Sequence, residues 1–460
     1  CILVATLYIL KRSSNPKLNM PPLVRYKVPI IGHTYSYLFD CEDFFKQCRE
    51  EYGDIFSIYI WGQVRTIVGK EHIHEVLARD DTFDLGKVFR KKIPGDADFV
   101  NGFAEIKENS MMVKDHITKK LELYTERMQK SLHMGIQRNI GECEEPKVLN
   151  HLYYLLTKVI ATPIANIFIG EEVAKSDEVL KSFAELTSDL TIFFAIPPFL
   201  DFIYPGLQDY VNHIPVRLGL YDPSAIRRDI LFKHIKNQVD KRLQERKKYH
   251  DSWKRPNDLL QDFIEDKMFD TNSINVNYNA IANKMALFIF VSIHSTSGAC
   301  TNALIDLACR PEYMQELYEE QLEVHKESDK NGILPLKALD KMKKLDSFVK
   351  ESLRLVGDIT GLTHITLKDY TFSNGFQVPK DHIVELYFDD IYQDETFQGQ
   401  NPKSFEPFRH LNKGSPATKV SRAYVPFGGE SGNIEEKLKL GPMTFPSACG
   451  VIFEKRNATN

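Results

Sequence analysis

Glu351 and Arg354 have the types and the spacing of an ion pair on one face of a helix. An exposed pair of this kind contributes little to stability, but these two residues flank an apolar stripe, which favours partial burial. A buried pair needs further partners to offset its desolvation. Arg409, in the proline-containing segment 405–409, is a candidate second arginine. A carboxylate held by two arginines would be a static structural node and not a reactive group.

A second candidate site is a polar interruption in the middle of a long apolar segment. It consists of Ser292, His294, Ser295 and Thr296. Two interpretations stay open. Hydroxyl groups inside a helix can bond to the carbonyl four residues back, so these residues could be satisfied members of the core. Alternatively, the helix opens locally and presents hydroxyl groups, an imidazole and water to a bound group, which would allow proton relay.

Hydrophobic periodicity predicts the two helices that carry these residues. One helix is expected over residues 279–309 and ends before Pro311. Its centre, residues 285–293, is apolar on all sides, which indicates a buried core helix. The other helix follows Pro335 and has one apolar stripe at helical spacing. Because it carries Glu351, its buried face should hold the ion pair inside the protein.

The rest of the chain predicts a mixed architecture. Residues 110–250 are mostly helical by period, with prolines that divide them into several helices. Strand-like runs lie near residues 55–68 and 363–387, towards the two ends of the chain. The expected fold class is therefore α+β: mainly α-helical with small β-sheets.

The composition excludes several classes of protein. With 460 residues, of which 43% are hydrophobic and 27% charged, the chain is globular. Its net charge of −4 gives no basic excess, so no nucleic-acid partner is expected. The seven cysteines are odd in number and contain no CxxC pair, which suits a reducing compartment. No group of histidines and cysteines predicts a metal site built from them.

The N-terminal residues predict a membrane anchor. Residues 1–10 are almost wholly apolar, and Lys11 and Arg12 follow, as on the cytoplasmic side of a membrane helix. Ten helical residues rise about 15 Å, half of a hydrocarbon core, so we expect a truncated anchor, with a short buried segment as the alternative. Residues 1–19 would then be anchor and linker, and residues 20–460 a single domain.

Taken in order along the chain, these features resemble the cytochrome P-450 family, the heme-thiolate monooxygenases. The resemblance extends from about Met20 to the C-terminus, and residues 292–302 are most similar to fungal, microsomal members. It rests on the proline-rich segment with Pro29 and Gly32, the long helix, the pair Glu351 and Arg354, and the run Phe405, Pro407 and Arg409.

The resemblance implies roles for the two candidate sites. The glutamate–arginine pair and Arg409 would form the folding triad behind the heme. Ser292, His294 and Ser295 take the positions of the small residue, the acid and the threonine in the family's oxygen-activating segment, and Thr296 follows them. Imidazole thus replaces the acid and serine replaces threonine, so proton delivery stays possible in an altered form.

Residues that would bind the heme propionates are implied in the same way. His364 takes the position of a basic residue that commonly binds a propionate. The tryptophan and arginine of the family's early heme-flanking helix are not evident in this sequence, and His116, Lys119 or Lys120 could substitute for them.

By the same resemblance, the chain would be a heme-dependent monooxygenase. It would hydroxylate a lipophilic substrate with O₂ and electrons from an NADPH-dependent reductase. The resemblance also implies a role in lipid or sterol metabolism. It places the protein in the endoplasmic reticulum membrane, with the domain facing the cytoplasm.

The sequence departs from the family where the iron ligand should stand. Family members bind heme iron through a cysteine thiolate in a glycine-rich loop. Here Tyr424–Gly429 opens that loop, but residues 430–434 contain no cysteine. Residues 435–440 are too few for the helix that should follow, and residues 441–456 resemble the family's closing hairpin. The most economical interpretation is an internal deletion of the loop and helix, with Cys449 as the alternative ligand.

The sequence therefore leaves two functions open. The first is the active monooxygenase, and the second is a catalytically inactive or mis-spliced scaffold that lacks the heme thiolate. A serine hydrolase or a P-loop enzyme is a distant third possibility, because residues 428–432 read GGESG and match neither motif.

Overall fold

The structure is a computed structural model of the chain. It describes residues 18–266, 277–356, 358–413, 416–417, 419, 421–425, 439–440, 443–444 and 450–454.

Helices make up most of the described residues. The α-helices are α1 (Thr34–Phe39), α2 (Cys41–Tyr52), α3 (Ile73–Leu77), α4 (Gly86–Lys92), α5 (Ala97–Asn101), α6 (Ile106–His116), α7 (Leu121–Asn139), α8 (Leu152–Phe168), α9 (Asp177–Ala195), α10 (Leu207–Arg217), α11 (Ala225–Tyr249), α12 (Leu259–Glu265), α13 (Tyr278–Ala308), α14 (Met314–His325), α15 (Leu336–Leu339), α16 (Lys343–Val356), α17 (Asp389–Tyr392) and α18 (Glu395–Gln398).

The strands are short and come from both ends of the chain. They are β1 (Ile55–Ile60), β2 (Gln63–Val68), β3 (Phe83–Asp84), β4 (Lys147–Leu149), β5 (Thr360–Thr366), β6 (Tyr370–Thr371), β7 (Gln377–Val378), β8 (Ile383–Tyr387), β9 (Lys439–Leu440), β10 (Met443–Thr444) and β11 (Val451–Phe453). The largest sheet has the order β1-β2-β8-β5-β3, in which β2 and β8 run parallel. The predicted fold class, mainly α with small β-sheets, is confirmed.

Pairing between distant strands joins the two ends of the chain. β8 lies beside β2, and β11 pairs antiparallel with β4, with Val451 opposite Leu149. The first hairpin turns at Trp61 and Gly62, whose φ angles of 51° and 70° match the mirror-image turn that two-residue hairpin loops favour. The predicted deletion of the ligand loop lies outside the described residues.

α13 is the central helix, and its buried half has the environment that its sequence predicts. Between Ile281 and Phe290 every residue except Asn283 is buried, and the helix packs against α8, α9, α11 and α16. The side chain of Asn277 caps it by accepting a hydrogen bond from the backbone of Ala280. At 31 residues the helix spans about 46 Å, so it can position groups across the whole core.

The helix predicted after Pro335 is divided in two. α15 ends at Leu339, and α16 begins at Lys343. The carboxylate of Glu320, on α14, accepts hydrogen bonds from the backbone N–H groups of Lys344 and Leu345. This cap comes from another helix, so the local pattern could not reveal where α16 begins.

Gly135 allows α7 and α8 to cross closely. A Cβ atom at Gly135 would lie 2.5 Å from the carbonyl oxygen of Val159. Replacing it with alanine must therefore push the two helices apart or distort them. We expect Gly135→Ala to lower the free energy of unfolding by about 1–3 kcal/mol, measured by urea denaturation. Gly102→Ala is the control, because its Cβ would meet only the Leu287 side chain at 3.6 Å. Equal stabilities for the two variants would contradict this interpretation.

Candidate functional site

The structure brings Glu351, Arg354 and Arg409 together in the core. The Glu351 side chain is fully buried and accepts two hydrogen bonds of 2.8 Å from Arg354, through Nε and Nη2. Arg409 donates from Nε to Oε1 of the same carboxylate at 3.0 Å. The backbone N–H of Glu406 and the imidazole of His410 also contact the carboxylate, at 3.0 Å and 3.1 Å. These hydrogen bonds offset the free-energy cost of removing the carboxylate from solvent.

The two guanidinium groups also hold the chain that follows α18. Arg409 donates to four backbone carbonyls at 2.9–3.0 Å, and Arg354 donates to the carbonyl of Tyr392 at 2.6 Å. The four acceptors of Arg409 are Gln398, Gln400, Asn401 and Ser404. Arg354, on α16, and Arg409 therefore fix the backbone course of residues 392–409, which leads towards the segment that opens at Tyr424.

His410 is part of this cluster and was not predicted from the sequence. Its position directly after Arg409 was the available signal. Burial alone would raise the pKa of Glu351, but the hydrogen bonds from Arg354 and His410 outweigh it and lower that pKa to about 2. The carboxylate is therefore ionised at every physiological pH and acts as a fixed anion.

The second half of α13 has one open face. Ser295 and Thr296 are exposed, Val291 is 51% exposed, and Ser292 is partly exposed, although the preceding turns are buried. Ser295 Oγ donates to the carbonyl of Val291 at 2.7 Å, which is the bond that the first interpretation describes, but Ser295 is exposed and is not a core residue. The helix is continuous from Tyr278 to Ala308, so no local opening of its backbone is present. The face itself is accessible to a bound group.

His294 lies on the other side of α13. Its Nδ1 is 2.7 Å from the hydroxyl of Tyr153 on α8, and its ring stacks on Phe290 at a centroid distance of 5.9 Å. Burial lowers the pKa of His294 to about 4, so the ring is neutral at pH 7. The structure thus separates His294 from the hydroxyl groups of Ser295 and Thr296.

His364 has the buried, unpartnered atom that a ligand would satisfy. It stands on β5 at the end of an irregularity that begins at Gly361, and it is 6% exposed. Its Nδ1 is buried without a hydrogen-bond partner. Burial lowers the pKa of His364 to about 4, against opposing effects of the Leu362 carbonyl and Asp84. Buried polar atoms are rarely left unsatisfied, so His364 fits an acceptor such as a heme propionate.

His116 and Lys120 are held by an acidic residue on α12. Nδ1 of His116 is 3.2 Å from Asp262, and Nζ of Lys120 is 2.6 Å from the same carboxylate. Lys119 instead pairs with Asp115 at 2.6 Å on the surface. Their predicted role at the heme propionates stays a prediction.

The described cysteines lie on four different parts of the fold. Cys41 and Cys48 are buried on α2, Cys143 is partly exposed before β4, and Cys300 and Cys309 are exposed on α13 and at its C-cap. Residues 426–438 and Cys449 lie outside the described residues. The unpartnered Nδ1 of His364 is compatible with a heme propionate, and the described residues assign no axial thiolate.

The comparison with protein families decides the relationship. A family model described as Cytochrome P450 matches residues 21–429. The chain belongs to the cytochrome P450 family. This family and fold bind heme, and the match ends immediately before residues 430–434, where the sequence lacks the expected cysteine.

Several curated P450 relatives come from fungi and are named for their enzyme activities. Cytochrome P450 monooxygenase 103 of Postia placenta is 24% identical over 93% of this chain and 84% of its own length. Cytochrome P450 monooxygenase ltmQ of Epichloe festucae var. lolii is 38% identical over 28% of the chain and 24% of its own length. Lanosterol 14-alpha demethylase of Mycosarcoma maydis is 27% identical over 74% of the chain and 60% of its own length. The chain thus aligns with less than two thirds of the last two relatives.

A solved structure has the same fold. Cyanobacterial CYP120A1 with bound retinoic acid superposes with a TM-score of 0.61 at 19% identity, over 90% of this chain and 87% of the other. This likeness shows the fold of the P450 family.

Removing the charge of Glu351 should destabilise this P450 more than any exposed substitution nearby. Glu351→Gln leaves two buried guanidinium groups without their carboxylate, so we expect a loss of about 3–5 kcal/mol in the free energy of unfolding. Glu406→Gln is the control, because Glu406 is exposed and pairs with the same Arg409 at 3.2 Å. The free energy of unfolding of each variant is measured by urea denaturation, followed by circular dichroism. If Glu351→Gln lowered it as little as Glu406→Gln does, the cluster would not be a structural centre.

Acid should destabilise the protein through its buried histidines. Burial lowers the pKa values of His294, His364 and His382 from 6.5 to about 4. Between these values the unfolded chain binds more protons than the folded one, so stability is lost as the pH falls from 6.5 to 4. Each histidine contributes up to about 1.4 kcal/mol per pH unit. The urea midpoint is measured at pH 7 and at pH 5. His364→Gln should reduce the fall in the midpoint between the two pH values, and His325→Gln, at an exposed histidine, should leave that fall unchanged.

Proposed function

We propose that this P450 is a heme-dependent monooxygenase that hydroxylates a lipophilic substrate. The observation that supports it most is the open face of α13. A helix buried in its first half exposes Ser295 and Thr296 directly after its apolar centre, residues 285–293, in a family that uses this segment to activate oxygen. When bound, heme would supply the activation of O₂.

The chain's own residues would bind and orient that group. His364 would donate from Nδ1 to a propionate, which would satisfy its unpartnered nitrogen. Ser295 and Thr296 would place hydroxyl groups, and the water that they bind, along the face of α13. Glu351 and its two arginines would hold the segment after α18 in position. None of these tasks requires a change in the ionisation of Glu351.

Aromatic side chains beside α13 support a lipophilic substrate. Phe103 contacts Phe290 at a centroid distance of 5.9 Å and stacks on Phe89 at 5.6 Å, and Phe89 in turn contacts Phe194 at 5.2 Å. These rings join α4, α9 and α13 into one apolar wall. Two of the named proteins carry a lipophilic molecule in their names: lanosterol 14-alpha demethylase and the cyanobacterial CYP120A1 with bound retinoic acid. On this ground we propose that the protein acts in the metabolism of a lipid or a sterol.

Exposed apolar residues support attachment to a membrane. Around α10 several large side chains face solvent, with exposed fractions of 59% to 76%. They are Phe199, Ile203, Leu218, Leu220 and Tyr221. Together with the apolar residues 1–10, they favour an anchored single domain, residues 20–460, that faces the cytoplasm at the endoplasmic reticulum. There an NADPH-dependent reductase would supply electrons.

The sequence favours one alternative function. Residues 430–434 contain no cysteine, so the chain could be a catalytically inactive or mis-spliced scaffold. In that case it would keep the fold and the apolar wall without the thiolate that the family's chemistry needs.

A carbon monoxide difference spectrum of the reduced full-length chain separates the two functions. The monooxygenase predicts the band of thiolate-ligated heme. Cys449→Ser should abolish that band if Cys449 is the ligand, and Cys309→Ser, on an exposed residue of α13's C-cap, should leave it unchanged. An absent band, or the band of histidine-ligated heme, would contradict the monooxygenase and favour the scaffold.

A further inference from the structure

Tyr153 and His294 form a polar contact between α8 and α13. The Tyr153 hydroxyl and His294 Nδ1 are 2.7 Å apart, which is the usual length of a hydrogen bond from a hydroxyl group. The two rings meet edge to face, at an interplanar angle of 82° and a centroid distance of 6.2 Å. One face of the imidazole stacks on Phe290, with an interplanar angle of 3°. The ring is thus contacted at its edge by Tyr153 and on a face by Phe290.

The chemistry of the two groups decides the direction of the hydrogen bond. A tyrosine hydroxyl keeps its proton up to a pKa of about 10, whereas the conjugate acid of imidazole has a pKa of about 6.5. The unprotonated imidazole nitrogen is therefore the better acceptor, and the phenol is the better donor. With Nδ1 as acceptor, the proton of the neutral ring must be on Nε2.

The two helices are packed firmly enough to maintain this contact. Leu152 and Leu156 on α8 form an apolar cluster with Ile305 on α13. Tyr153 lies between these leucines in the first turn of α8, and its carbonyl accepts a hydrogen bond of 2.8 Å from Thr157 Oγ1. These contacts fix the backbone from which the tyrosine ring projects towards His294.

The contact also sets which side of α13 the imidazole occupies. At about 100° per residue, Ser292, Ser295 and Thr296 share an arc of about 100°. His294 projects about 150° from the centre of that arc. Because Tyr153 approaches from the side of His294, the hydrogen bond and the open face lie on different sides of the helix.

We infer that Tyr153 is a positioning residue that donates a hydrogen bond to His294, fixes its Nε2–H tautomer and holds the imidazole away from the hydroxyl-bearing face of α13. This inference rests on the proposed function, in which that face receives the reacting group. It means that Ser295 and Thr296, and not His294, carry the polar groups of that face.

Nitrogen NMR of the full-length chain tests the tautomer directly. Histidine ring nitrogens are labelled with ¹⁵N, and the His294 signals are identified by their loss in His294→Gln. We expect the wild type to show an unprotonated Nδ1 and a protonated Nε2. In Tyr153→Phe the Nδ1 signal should shift to that of a free acceptor, or the Nδ1–H tautomer should appear. Tyr154→Phe is the matched control, because its ring is 41% exposed on the next residue, and it should reproduce the wild-type signals.

Two results would overturn the inference. A protonated Nδ1 in the wild type would reverse the direction of the hydrogen bond, and this result does not depend on whether Tyr153→Phe folds. Identical His294 signals in the wild type and a folded Tyr153→Phe would show that Tyr153 does not set the tautomer. The carbon monoxide difference spectrum of the same wild-type preparation tests the monooxygenase function separately. Failure of the inference about Tyr153 can therefore be distinguished from failure of the proposed function.

Discussion

The buried carboxylate of Glu351 is the interaction on which the rest of the structure depends. It is an anion without solvent, and its charge is balanced by Arg354 and Arg409 at 2.8–3.0 Å. Each arginine also binds backbone carbonyls in residues 392–409. Because removal of any partner would leave a buried charge unpaired, the helix α16 and the segment after α18 can adopt only this arrangement. The Glu351 cluster therefore joins α16 rigidly to residues 392–409.

The helix α13 combines two environments within a single continuous element. Its first half is enclosed by α8, α9 and α11 and stabilises the core. Its second half leaves Ser295 and Thr296 accessible and turns His294 towards Tyr153. A rigid helix needs no break in its backbone to present hydroxyl groups when the neighbouring elements leave one face open. The apolar wall includes Phe290 of the same helix, so the proposed substrate contacts and the polar groups share one support.

Much of this arrangement was predictable, because it follows from local spacing. The interval between Glu351 and Arg354 places them on one helix face, and the apolar run 285–293 predicts a buried helix. What the sequence could not reveal depends on partners far away in the chain. Glu320 determines where α16 begins, and Tyr153 determines the orientation of His294. Such contacts join residues more than twenty positions apart, and periodicity carries no information about them. The axial ligand is a different case, because no cysteine stands where the family pattern expects one.

Hydrogen exchange with and without heme tests the central claim, that the open face of α13 is the side against which this P450 holds its cofactor. The full-length chain is prepared heme-free and after addition of heme, and amide exchange is followed by mass spectrometry. The account predicts slower exchange for residues 291–300 on addition of heme, with little change for the already buried residues 281–290. Unchanged exchange over residues 291–300 in a preparation that has bound heme would contradict it.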